Sequence, residues 1–195
     1  MARRIVIIQG HPDPAGGHYC HALAQAYADG ARSGGHEVRL MSAGSLDVPY
    51  VRDQAQWREP ATEPGVLAAQ ADVAWADHLV IIYPLWLGDM PAVLKSFLEH
   101  LSRGGFVMAV DEKGHWVKKL TGKSARIVVT MGMPALAYRW FFFAHSLKSL
   151  ERNILKFAGV SPVRSTLLGM VEGEGRAGAR TAWLADMRRL GAGAA

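Results

Sequence analysis

Leu79-Val-Ile-Ile-Tyr-Pro-Leu-Trp-Leu-Gly-Asp-Met-Pro91 runs straight into Ala92-Val-Leu-Lys-Ser-Phe-Leu98. Leu79 to Tyr83 is apolar and rich in β-branched residues, the composition of a strand buried on both faces of a parallel sheet. Pro84 has no N–H to give to a sheet ladder, so the strand ends there. Leu85, Trp86 and Leu87 follow as three large apolar residues outside any regular element. Gly88 lets the backbone turn, and Pro91 suits the first turn of a helix, where its missing N–H costs nothing. The stretch therefore sets apolar bulk and free backbone N–H groups at the carboxyl end of a central strand, the edge at which open α/β sheets bind ligands. The competing reading is a plain strand-to-helix turn with Trp86 and Leu87 packed under a neighbour.

Working outward, the same alternation recurs along the chain. Ile5 to Ile8 reads as a first buried strand. The loop Gln9 to His18 is rich in glycine and proline, and Tyr19 to Arg32 reads as a helix from the spacing of Ala22, Leu23, Ala26 and Tyr27. Gly34-Gly35 stops that helix. Glu37 to Met41 alternates polar and apolar residues and reads as a less buried strand. Ser45 to Pro64 is a long excursion. Thr62 is placed to cap a helix over Pro64 to Ala76. After a helix over Pro91 to Leu101 comes a second excursion, Ser102 to Gly122, of a length usually reserved for a lid, a binding loop or an interface. Arg126 to Thr130 is the fourth strand, Arg139 to Phe157 a helix, Val163 to Leu168 the fifth strand and Ala177 to Leu190 the last helix. Five alternations of strand and helix imply one parallel sheet covered on both faces. Five strands favour the order 2-1-3-4-5 in a single domain over residues 1–195. In that order the switch point falls between the first and third strands. The Gly10–His18 and Pro84–Gly88 loops meet there.

Composition narrows the function. Among 195 residues, half are hydrophobic and the formal net charge is +5, as expected of a globular domain that binds anionic small ligands. The basic residues are scattered in pairs such as Lys118-Lys119, which is not the stripe that binds nucleic acid. A lone cysteine, Cys20, leaves no disulfide framework and fits a reducing compartment. No run reaches the length of a membrane span, and no signal pattern precedes the first strand, so a cytoplasmic protein is expected.

The loops suggest a chemistry. A helix N-terminus preceded by Gly16-Gly17 offers unpaired N–H groups and a positive dipole end to a phosphate. His11 and His18 are candidate donors, with the amides of Gly17, Tyr19 and Cys20 beside them. Neither G-x-G-x-x-G nor G-x-x-x-x-G-K-[ST] occurs. The Pro84–Gly88 loop offers flat apolar cover and amides for the edge of an aromatic ring. The loop Thr130 to Tyr138 faces the same edge, with the Thr130 hydroxyl, Met131, backbone access at Gly132 and the Tyr138 phenol. A phosphate at one loop and a ring between two others describe flavin mononucleotide. A metal at His11, Asp13 and His18 matches no firm template, and Cys20 has no arrangement that marks a nucleophile. Trp140-Phe-Phe-Phe143 reads as core or subunit contact.

Gln9-Gly-His-Pro-Asp-Pro14, Tyr83-Pro-Leu-Trp-Leu-Gly-Asp-Met-Pro-Ala-Val-Leu-Lys95 and Thr130-Met-Gly-Met-Pro-Ala-Leu-Ala-Tyr138 resemble the flavodoxin-like NAD(P)H:quinone oxidoreductases. That family includes DT-diaphorase and the flavoprotein subunits of potassium efflux systems. The resemblance implies a flavodoxin fold, bound FMN or FAD, and homodimers with each flavin near the subunit interface. It also implies two-electron, ping-pong hydride transfer from NAD(P)H through the flavin to a quinone. By the resemblance, His11 belongs to the phosphate loop, and Pro84, Leu85, Trp86 and Leu87 line the isoalloxazine ring. Thr130 and Gly132 belong to the third flavin loop. Tyr138 would lie over the flavin as a catalytic residue, joined by His145. Here the phosphate loop is longer than in many members, and Ala144 stands where DT-diaphorase has a histidine. The chain lacks the DT-diaphorase C-terminal extension, which favours FMN over FAD. The alternative is a flavin-binding regulatory subunit of a membrane ion-efflux system. A one-electron flavodoxin fits less well, because such carriers are acidic.

Overall fold

The computed structural model describes residues 1–46 and 49–195, and Glu174 without its side chain; Asp47 and Val48, inside the first excursion, lie outside the described residues. Five parallel strands form the central sheet: β1 (Arg4–Gln9), β2 (Glu37–Ser42), β3 (His78–Pro84), β6 (Ser124–Met131) and β7 (Val163–Gly169). Their order is β2-β1-β3-β6-β7, which is the flavodoxin-like order read from the alternation. The three inner strands are buried on both faces because they carry Val, Ile and Leu almost without interruption. Edge strand β2 alternates and is half exposed.

Helix α1 (Tyr19–Ser33) and α7 (Ala177–Ala192) cover one face, where Leu23, Tyr27, Ile5, Ile7 and Met187 pack together. Helices α3 (Pro64–Trp75) and α4 (Ala92–Leu101) cover the other, against Ile8, Ile81, Ile127 and Phe97. α2 (Gln54–Arg58) lies within the first excursion. The second excursion is partly ordered as an antiparallel hairpin, β4 (Met108–Val110) with β5 (Trp116–Lys118).

The expected helix over Arg139 to Phe157 is three pieces. α5 (Ala135–Trp140) stops, the chain turns through Phe143 at φ 53° and Ala144 at φ 48°, and α6 (His145–Lys148) leads into a π-helical stretch over Ser149–Lys156. Two consecutive left-handed residues cannot continue a right-handed helix. Trp140, Phe141, Phe142 and Phe143 are all exposed, so the aromatic run is not core of this chain. Thr62 does not cap α3 either. The N-cap is Glu63, whose side chain makes no capping bond and instead accepts from the Thr62 N–H at 2.9 Å. Pro91 sits at the N-cap of α4 rather than inside its first turn.

Candidate flavin site

At the switch point between β1 and β3, a cleft of about 550 Å³ opens beside the start of α1. Its first wall is the Gly10–His18 loop. Gly10 passes so close to β3 that a Cβ there would lie 2.7 Å from Leu94 Cδ2 and 3.0 Å from Tyr83 Cβ. Gly16 and Gly17 then take φ of 91° and 81°, angles that glycine adopts without strain. His18 occupies the N-cap of α1 but does not cap it. Its Nε2 pairs with Asp13 Oδ2 at 2.8 Å, and its ring stacks on His11 at 3.9 Å between centroids. Among the described residues the backbone N–H groups of Gly16, Gly17, His18, Tyr19 and Cys20 have no acceptor. An uncapped helix start in a cleft has the donors and the dipole end that suit an anion.

The His11 ring is fixed by accepting the Asp13 N–H on Nδ1 at 3.1 Å, which leaves the proton of the neutral ring on Nε2. Burial holds the His11 pKa below that of a free histidine, and the neighbouring His18 and His21 rings oppose a charge there too. His11 is therefore a neutral donor at pH 7. Asp13 is held below the usual carboxylate range by the Ala15 N–H and by His18. The imidazole of His21 lies 5.4 Å from that of His11, with both nitrogens buried and unpartnered.

The second wall is the turn after β3. Trp86 and Asp89 exchange backbone hydrogen bonds of 2.8 and 2.9 Å, with Leu87 at φ 48° and Gly88 at φ 79° between them. Two positive φ angles make this a type I′ turn, and leucine is strained in its first position. Leu87 is fully exposed and Trp86 half exposed. No acceptor among the described residues takes the Leu87 or Gly88 N–H. Leu85 N–H donates to Thr130 O at 2.7 Å, which locks this turn to the end of β6.

The structure brings His11, His18, Tyr19, Cys20, Pro84, Trp86 and Thr130 to the cleft. Gly132 sits at its edge, where a Cβ would lie 3.6 Å from Glu172 Oε2. Cys20 Sγ lies 3.3 Å from Thr130 Oγ1, and burial pushes the thiol up to about 11. Such a thiol stays protonated and is no nucleophile at neutral pH. Met131 is buried in the core, so it offers backbone only. Tyr138 is not over the cleft. Its ring is 2 % exposed, and its hydroxyl pairs with Ser146 Oγ at 2.6 Å and accepts the Leu147 N–H at 3.1 Å. The tyrosine ties α5 to α6 because the left-handed break folds α6 back over it. His145 is exposed beside Phe143, 5.8 Å between ring centroids, and does not line this cleft.

Sequence reasoning missed the loop after β7. Val171 and Glu172 line the cleft, and Arg180 on α7 holds that loop by donating to Val171 O and Gly173 O, both at 3.0 Å. Tyr19 Oη in turn donates to Arg180 O at 2.9 Å. The rule that singled out the other strand ends applies equally to this one.

A family model described as flavodoxin-like fold matches residues 3–190. The chain belongs to this flavodoxin-like family. An FMN-dependent NADH:quinone oxidoreductase of Cereibacter sphaeroides is 34% identical over 165 residues, covering 84% of this chain and 76% of that protein. A ribosyldihydronicotinamide dehydrogenase-like protein of Penicillium crustosum is 27% identical over 155 residues, covering 66% of this chain and 57% of that protein. The chain spans about half the length of several curated relatives it matches. The structure of an NAD(P)H:quinone oxidoreductase from Methanothermobacter marburgensis superposes with a TM-score of 0.83, at 20% identity and 98% coverage of each chain. At that identity the likeness shows the fold.

Proposed function

We propose that this protein is an FMN-dependent NAD(P)H:quinone oxidoreductase. The observation that carries the proposal is the row of unpaired amides from Gly16 to Cys20 beside the His11 donor, set across one cleft from the exposed Trp86–Gly88 turn. The first suits a phosphate monoester and the second a flat ring. When bound, the flavin supplies ping-pong hydride transfer between a nicotinamide and a quinone. The residues of this chain do the rest. Gly17, His18, Tyr19 and Cys20 offer backbone N–H groups to the phosphate, and His11 offers Nε2–H. Pro84, Leu85, Trp86 and Leu87 cover the ring and keep water from it. The free Leu87 and Gly88 N–H groups stabilise negative charge at its edge. Thr130 and Gly132 bound the other side. Tyr138 is a positioning residue that fixes the α5–α6 break next to this loop.

FMN is favoured over FAD because the Cereibacter sphaeroides relative is an FMN-dependent enzyme. We place the protein in the cytoplasm. Among the described residues no helix is long and apolar enough to cross a membrane, and no observation favours the regulatory-subunit alternative. A homodimer accounts for the exposed Leu136 and Trp140–Phe143, a contiguous apolar surface that a monomer would leave in water. The decisive experiment is an absorbance scan of the purified protein, with the released cofactor identified by mass. A yellow protein containing FMN, bleached by NADPH or NADH and restored by a quinone, is expected. A colourless protein that takes up neither flavin would refute the proposal. Initial rates with both substrates varied should give parallel lines in double-reciprocal form.

A further inference from the structure

A second cavity, of about 450 Å³, lies against edge strand β7, between α5, α6 and the π-helical stretch. That volume falls within the roughly 300–1,000 Å³ of small-molecule sites. The cavity shares no lining residue with the flavin cleft. Its floor is apolar, from buried Ala144 and Leu147 and half-buried Leu167. The Trp140 indole stands exposed at its edge. Two unusual backbone features shape it. Ala144 is held at φ 48° although it is buried, and the wall over Ser149–Lys156 is π-helical. Retained strain and π-helical turns both gather at ligand sites.

Three cations line the cavity: Arg139 from α5, Lys148 from α6 and Arg152 from the π-helical stretch. The side-chain bonds of this segment lie elsewhere, between Tyr138 and both Ser146 and the Leu147 N–H, and from Lys156 Nζ to Glu151 Oε1 at 2.6 Å. Arg139, Lys148 and Arg152 have no hydrogen-bond or ion-pair partner among the described residues. Glu151 is the one carboxylate among the lining residues, and Lys156 already holds it. Lys148 and Arg152 also stand four residues apart on one helical run, a spacing at which like charges repel. The fold thus gathers three open cations against one engaged acid, a local repulsion that a bound anion removes.

We infer that this cavity binds a nucleoside phosphate, with the base stacked on Trp140 and the phosphates held by Arg139, Lys148 and Arg152. These side chains together recognise a flat ring and a compact multiple anion: aromatic faces stack nucleobases, and guanidinium groups grip phosphate oxygens in pairs. Leu136 and Trp140 also belong to the surface assigned to a homodimer, so the cavity flanks that surface, and its charges come from residues outside the aromatic run. The test is isothermal titration calorimetry of the full chain, with FMN in excess so that the cleft is filled, and with ADP as the probe. A saturable heat is expected, with affinity at least about tenfold weaker in Arg152→Met and in Lys148→Met. Both changes fall on exposed side chains and should leave flavin content and quinone reduction unaltered. Adenosine and inorganic phosphate, which carry the ring and the charge separately, should each bind at least about tenfold more weakly than ADP. No saturable heat, an affinity unchanged in Arg152→Met, an affinity lost in His11→Ala instead, or adenosine binding as tightly as ADP would overturn the inference. A protein that takes up no flavin yet binds ADP with this pattern of variants would refute the cofactor proposal and leave this one standing.

Discussion

The two ends of the sheet are built from the same strands and treat their polar groups in opposite ways. At the amino end most donors are spent within the chain. Asp77 takes bonds from the Arg4 N–H, Nε and Nη2 at 3.0, 3.2 and 2.7 Å. Lys123 Nζ donates to the last carbonyls of α3, reaching Ala74 O at 2.8 Å and also Ala76 O. His36 bridges the Arg3 N–H and Ala192 O. At the carboxyl end five consecutive amides, two more in the Trp86–Asp89 turn and the His11 Nε2 have no acceptor among the described residues, and a strained leucine stands in water. Donors left open and strain retained at one end are the features on which the proposed flavin site rests.

The contrast can be broken or sharpened by substitution. The largest effect is expected at Gly10, where side-chain and backbone atoms crowd the Cβ direction. Gly10→Val should cost about 1–3 kcal/mol by overpacking, lowering the melting temperature by roughly 2–4 °C per kcal/mol, and should displace the phosphate loop. Calorimetry and flavin content read both. Next, His11→Ala removes a donor to a charged group, worth about 1.5–3 kcal/mol. FMN should bind roughly tenfold to a hundredfold more weakly, measured by fluorescence titration, with the melting temperature of the apoprotein little changed. If the flavin affinity is unaffected, the open-donor reading of this end fails.

Leu87→Asn should separate strain from function. Asparagine accepts the left-handed conformation, so stability should hold or rise by up to about 1 kcal/mol, while quinone reduction falls severalfold as the ring loses cover. At the amino end the Arg4 guanidinium holds Asp77 down at about 2 against an ordinary value of 3.8. A depressed carboxylate contributes stability above its unfolded pKa, and that stability is lost as pH falls through the folded one. The acid limb of stability should therefore drop between about pH 4 and pH 2, and Asp77→Asn should flatten it. Urea melts across that range measure this, and the pair's exposure keeps the effect modest. The smallest effect belongs to Cys20. With its thiol pushed up to about 11, it should resist alkylation in the folded protein at pH 8, and Cys20→Ala should leave turnover within about twofold.

Much of this was legible in the residues. The apolar runs of β1, β3 and β6 fixed a parallel sheet because strands buried on both faces cannot alternate. The spacing of strand and helix placed the switch point, and Gly16-Gly17 marked a turn that only glycine makes cheaply. The stretch from Arg139 to Phe157 misled because its helical propensity is real. What breaks it is a tertiary choice: Phe143 and Ala144 take left-handed geometry, and α6 folds back over the buried Tyr138. The contributions of Val171 and Glu172 were missed because nothing in their own composition distinguishes them from an ordinary loop.

The order of strands, the cover on both faces, the glycine turn before α1 and the family resemblance follow from the sequence by itself, since they rest on local periodicity and on residue types that act through their own backbone. Only the tertiary structure decided which polar atoms stay unpaired. It removed Tyr138 from the cleft, left the α1 amides and the Leu87–Gly88 turn open, and joined His78 to Ser124 across 46 residues. Whether a donor is satisfied depends on what packs against it from distant parts of the chain, and no local pattern records that.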